Sequence, residues 1–147
     1  MTPRTRWTDA PWLRPALLIA VILATTTAPC RGADVPAWVL RGMMAVETSS
    51  RFDATGAPVY VNQRRGLAGE VGITQAMPRT LRTYGFSPSL FEQDPQYALA
   101  ATSVILTKYR DSTGSWWQAV AKWRQFTAYR SPPAQDYALR VSRAGGE

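Results

Sequence analysis

Glu47 closes an apolar stretch, "MMAVETSSRF" at residues 43–52, and Thr48, Ser49 and Ser50 follow it at once. Leu40, Met43, Met44 and Glu47 recur at i, i+3, i+4 and i+7, which sets all four on one face of a helix. The carboxyl therefore points where the apolar residues point, in the last turn. Desolvation there favours the neutral acid, and so does the partial negative charge of a helix C-terminus. Three and four residues back stand Met44 and Met43, so the preceding turn supplies no cation to hold a carboxylate. These effects predict an acid that keeps its proton near neutral pH, the state needed to protonate a departing oxygen. The competing expectation is a carboxylate at a frayed helix end, turned to water.

A second stretch, "GEVGITQAMPRT" at residues 69–80, places two glycines before Gln75 and a proline-started helix. Glycine-flexed backbone can come close to a ligand. The Gln75 amide both donates and accepts, which suits sugar hydroxyls and acetamido groups.

Helices must carry these groups. Asp34 is placed to cap the Glu47 helix, with Pro36 in its first turn. Residues 50–71 are rich in Gly and polar side chains, and "PVYVN" within them alternates as one arm of a small β-hairpin. Pro78 and Gly85 bracket a short helix, and both read as structural, as does Thr80. Asp94 and Pro95 open a longer one that is apolar on two sides, with Ala98, Ala101 and Ile105 on one and Leu99, Leu106 and Tyr109 on the other. Such a helix belongs in an interior. "DSTGS" predicts a turn, and Ser115 caps a helix with Trp116, Ala119, Val120 and Trp123 inward. "SPP" at 131–133 opens the last helix, with Ala134, Tyr137, Ala138 and Val141 inward. The expected fold class is mostly α, one domain over residues 33–147, without internal repeats.

Residues 1–32 predict a targeting segment. Arg4, Arg6 and Arg14 accompany an apolar run from Pro15 to Ala28, short for a membrane span and suited to a signal peptide. Cleavage after Gly32 or Cys30 satisfies the small-residue rule, and a retained signal anchor is the alternative. "TAP" before Cys30 makes a poor lipobox. The expected location is periplasmic or exported, or the inner membrane if the anchor is kept.

The whole chain of 147 residues carries 17 basic and 10 acidic residues. Four Arg and one Asp fall in the first 32, so the remainder holds 13 basic and nine acidic residues, net +4. That excess is dispersed, with "QRR" at 63–65 its densest point, unlike the concentrated stripe of a nucleic-acid binder. It suits an anionic envelope polymer or membrane surface, or serves solubility alone. With 46% apolar residues, six Trp and six Tyr, a core is assured and disorder excluded. The chain has no His and its single Cys lies at position 30, so the remainder offers no disulfide and no zinc ligands of those types. No metal or cofactor is expected.

"AVETSSRF" followed by "GEVGITQAMPRT" resembles the lytic transglycosylase family, in its soluble, goose-lysozyme-like domain. Members carry a helix-terminal Glu-Ser or Glu-Thr with a nearby Phe, then a Gly-x-x-Gly segment running through Gln to Pro-x-Thr, then an Asp-Pro-started helix. All three occur here in order, and the likeness covers about residues 35–143. It implies a lysozyme-like domain with a small β-hairpin flanking a cleft, and cleavage of the β-1,4 bond between N-acetylmuramic acid and N-acetylglucosamine in peptidoglycan glycan strands. Glu47 would be the single acid/base. Gln75 and the backbone of Gly72, Ile73 and Thr74 would line sugar subsites, with Met77 as an apolar wall. Ser49 or Ser50 would support the carboxyl, although an ordinary helix-ending turn also explains them.

A fourth family motif, Tyr-Asn-Ala-Gly, is replaced here by Trp123-Arg124-Gln125. Trp123 can stack on a sugar or pack in the core. Arg124, if it reaches Glu47, favours the ionised acid. The segment between Glu47 and Gln75 is also long, and "GAPVYVNQRRG" accounts for the extra length.

A lytic transglycosylase works with one carboxyl because the substrate's own 6-hydroxyl attacks the anomeric carbon, giving a 1,6-anhydro sugar. Most glycoside hydrolases need two. Asp53 and Glu70 are the acids that could supply a second, which makes a hydrolytic lysozyme the alternative. A non-catalytic peptidoglycan-binding module is a further one. The chain is expected to act as a monomer, without nucleic acid, in a setting such as a secretion, conjugation or phage assembly that opens the wall locally.

Overall fold

The computed structural model describes residues 35–55 and 57–146. The expected targeting segment and Asp34 lie outside them. Among the described residues no helix is long and apolar enough to cross a membrane.

Six helices and one two-stranded antiparallel sheet make up this part: α1 Ala37–Thr48, β1 Arg51–Phe52, β2 Pro58–Tyr60, α2 Pro78–Thr83, α3 Pro88–Gln93, α4 Pro95–Thr113, α5 Trp116–Arg124 and α6 Pro132–Gly145. The mostly helical expectation holds, and so does the hairpin, whose second arm is the "PVY" of "PVYVN". Its register pairs Arg51 with Tyr60 and Phe52 with Pro58.

Local chemistry sets most helix starts. Asp94 Oδ1 accepts from the Gln96 and Tyr97 amides at 2.9 and 3.2 Å, and Ser115 Oγ accepts from Gln118 at 3.1 Å. Helix α1 departs from expectation. Pro36 stands at the cap with extended ψ and is not in the first turn; its carbonyl accepts from Val39 at 2.9 Å. Helix α3 was not foreseen: Ser87 and Pro88 start it, and Ser87 Oγ accepts from Leu90 at 3.4 Å. Helix α4 runs on through Asp111, Ser112 and Thr113 and ends only at Gly114, whose left-handed conformation makes the C-cap.

The core gathers the faces read from periodicity. Ala98, Ala101, Ile105, Leu106 and Tyr109 of α4 are buried, as are Ala119 and Val120 of α5 and Ala134, Tyr137, Ala138 and Val141 of α6. Helices α1 and α6 meet backbone to backbone. A Cβ on Gly42 would overlap the Val141 carbonyl, and one on Gly145 would overlap the Trp38 carbonyl. Each glycine thus sits where the antiparallel partner presses its main chain. This contact brings the last turn of α1 beside the middle of α6.

Candidate functional site

The end of α1 is built around its unpaired carbonyls. Ser49 takes the left-handed conformation (φ 58°) and its amide bonds back to the Ala45 carbonyl at 3.0 Å. Arg64 Nη2 donates to the Glu47 carbonyl at 2.7 Å, and Asn62 Nδ2 donates to the Thr48 carbonyl at 3.1 Å. A cation and an amide thereby close the negative end of the helix. Thr48 is fully buried, and its hydroxyl bonds to Ser50 Oγ at 2.9 Å and to the Ile73 carbonyl at 3.3 Å. One side chain therefore ties the helix end to the glycine segment.

That segment folds into a tight turn closed by a bridge between Val71 and Ala76. Gly72 is left-handed and packs against Phe91. Gln75 is also left-handed (φ 51°), and its Nε2 donates to the carbonyls of Arg64 and Gly72 at 2.7 and 2.8 Å. Thr74 is buried and bonds Thr102 at 2.8 Å, while Trp123 Nε1 donates to the Thr74 carbonyl at 3.1 Å.

Several expectations for these residues change. The carbonyls of Gly72, Ile73 and Thr74 all accept bonds from within the protein, and Ile73 lies wholly in the core. This backbone therefore braces the site. The Gln75 amide N–H groups hold the long 61–70 loop against the turn, and its Oε1 lies close to Gly66 of that loop. Trp123 buttresses the turn through its indole N–H. Met77 is exposed at the start of α2. Neither serine bonds the Glu47 carboxyl: Ser49 is the exposed cap, and Ser50 is buried against Thr48. Gln75→Ala should cost about 2 kcal/mol, because it removes the two bonds that hold the 61–70 loop to the turn. Urea unfolding measures this, and an unchanged midpoint would sink the bracing role.

Glu47 is half-buried in the last turn of α1. Burial is the largest influence on its carboxyl and raises its pKa above the ordinary 4.5; Glu70 nearby adds to the rise. Opposing them are Tyr137 and the guanidinium charges of Arg124 and Arg140. Arg124 thus reaches Glu47 as its position suggested, but desolvation outweighs it. Asp53 lies apart from this balance: its Oδ1 accepts from Thr55 N, Thr55 Oγ1 and Ala57 N at 2.8, 2.6 and 3.0 Å, and so shapes the hairpin turn. Glu70 Oε2 accepts from the Ala68 amide at 3.0 Å.

Sequence reading placed Tyr137 in the core without a further role. It is buried, but its hydroxyl completes no hydrogen bond among the described residues. The hydroxyl still stands near enough to the Glu47 carboxyl that each shifts the other: Tyr137 lowers the Glu47 pKa, and burial and then Glu47 raise that of Tyr137. We read this as a loose pairing short of bonding geometry. A buried tyrosine needs a partner for its hydroxyl, and that rule was the available signal. Arg64, Asn62 and Arg140 carried none.

No family model, curated protein or solved structure matches the chain.

The chemistry must therefore be read from the site itself. One acid with a raised pKa, a buried phenol behind it, two guanidinium groups near it and a braced turn beside it can give a proton and take it back. Tyr137→Phe should leave stability unchanged or slightly higher, since it removes an unsatisfied buried hydroxyl. It should also move the Glu47 titration to higher pH, because a pKa-lowering neighbour is gone. NMR titration of the Glu47 carboxyl checks the direction, and a downward shift would contradict the pairing.

Proposed function

We propose that residues 35–146 form a lysozyme-like domain that cleaves peptidoglycan glycan strands as a lytic transglycosylase, with Glu47 as its single acid/base. The observation that carries this reading is Glu47 itself, half-buried at a helix end with its pKa raised by desolvation. Support comes from the order of "AVETSSRF", "GEVGITQAMPRT" and the Asp94–Pro95 helix start along the chain. The hairpin directly after the Glu47 helix and the exposed Met77 suit one rim of a glycan cleft.

In this mechanism the Glu47 proton passes to the glycosidic oxygen as its bond to the anomeric carbon breaks. The N-acetyl group of the muramic acid stabilises the positive carbon. Glu47, now a carboxylate, takes the proton of the 6-hydroxyl as that oxygen bonds to the anomeric carbon. The acid is regenerated, no water is consumed, and the product ends in a 1,6-anhydro sugar. Arg124 and Arg140 limit the cost of the transient carboxylate.

A second reading is a hydrolytic lysozyme, favoured by one observation: Glu70 is near enough to Glu47 to raise its pKa. Digesting purified peptidoglycan with the chain and weighing the products separates the two. Anhydro ends are one water lighter than reducing ends. Release of reducing ends assigns hydrolysis, and no release where a known lysin works leaves only a binding module.

A further inference from the structure

We propose that a cavity of about 430 Å³ between α1, β1 and the end of α6 binds a small organic acid through a carboxylate or phosphate group. Three guanidinium groups line it from three separate elements: Arg41 on α1, Arg51 on β1 and Arg143 on α6. No ion pair among the described residues engages any of them. Three guanidinium groups against one carboxylate leave the cavity wall net positive, which favours a bound anion. Asp53 is the one carboxylate on the described wall, and its Oδ1 already accepts three bonds within the hairpin turn.

Two of the arginines are held in place before any ligand arrives. Arg41 Nη2 donates to the Gly145 carbonyl at 2.9 Å, which satisfies one of the carbonyls left over at the end of α6. Its Nε is buried and has no partner. A buried donor without an acceptor calls for an explanation, and an anionic oxygen supplies one. Arg51 lies over the Tyr60 ring, 5.5 Å from its centre. The volume falls in the range of small-molecule sites and far exceeds a single water's share of about 30 Å³. The ligand therefore has an organic body, and Phe52 and Ala144 give it an apolar wall. Glu47 does not line this cavity, so the site stands whether or not the glycan reading holds.

Calorimetric titration of the full chain at constant ionic strength tests the site with two probes, N-acetylglutamate and glycerol phosphate. Binding of the first alone assigns a carboxylate, of the second alone a phosphate, and of both a general oxyanion site. Arg51→Gln and Arg143→Gln should each weaken binding about three- to fivefold, as expected for exposed charge contacts. Arg130→Gln, which removes an exposed arginine elsewhere, should leave binding unchanged. On the unaltered chain, added chloride should weaken the bound probe, a readout that stands even if a variant folds poorly. Failure of both probes to bind overturns the proposal. So does an equal loss in Arg130→Gln, or binding indifferent to chloride.

Discussion

Glu47→Gln should lower the release of soluble glycan fragments from peptidoglycan by about a thousandfold, the scale of a lost general acid. The amide keeps the size of the carboxyl and cannot give a proton to the glycosidic oxygen. The same substitution should make the protein more stable at neutral pH. A buried acid with a raised pKa contributes its full stability only below its unfolded value, near 4.5, and loses it as pH rises through the folded one. Gln has no charge to desolvate. The stability gap between variant and wild type should therefore open above about pH 4.5 and close below it, where Glu47 is neutral in both states. Thermal unfolding across pH reads the gap. A variant less stable than wild type at pH 7 would mean that Arg124, Arg140 and Tyr137 outweigh desolvation.

Gly42→Ala should destabilise the fold by about 3 kcal/mol, which lowers the melting temperature by roughly 12 °C or more. The added methyl would overlap the Val141 carbonyl, a main-chain atom that cannot move without shifting α6. In an isolated helix the same change would stabilise by about 1 kcal/mol through helix propensity. The sign of the effect therefore decides whether α1 and α6 touch. Because this contact sets Glu47 beside Tyr137, surviving protein should also lose activity. A variant as stable as wild type would refute the helix pairing.

Much of the fold was legible because it rests on local rules. Asp94 and Ser115 start helices by accepting orphan amides, and most of the residues marked by the apolar spacing of α4, α5 and α6 are buried, while Leu99, Trp116 and Trp123 are only partly so. Helix α3 escaped because "SPSLFEQ" is too short for a period to show. Helix α1 starts two residues later than an Asp34 cap implies, with Pro36 itself at the cap position. At the site, the rise of the Glu47 pKa followed from sequence, since burial and the lack of nearby cations in its own helix could be read from spacing. The duties of Gln75 and Trp123 could not. Both looked like ligand groups because their side chains suit sugars, yet both bond to main-chain carbonyls far away in sequence.

What the sequence determined by itself is every helix but α3, most of the inward faces and an acid placed on one of them, because those follow from contacts within a few residues. Tertiary structure alone decided which groups surround that acid. Tyr137, Arg124 and Arg140 come to Glu47 from two other helices, and Arg64 from the long loop before the turn. It also decided that Arg41, Arg51 and Arg143 share one cavity. The physical reason is the close approach at Gly42 and Gly145. Sequence shows two glycines, but only the packed chain shows the carbonyl that each one admits.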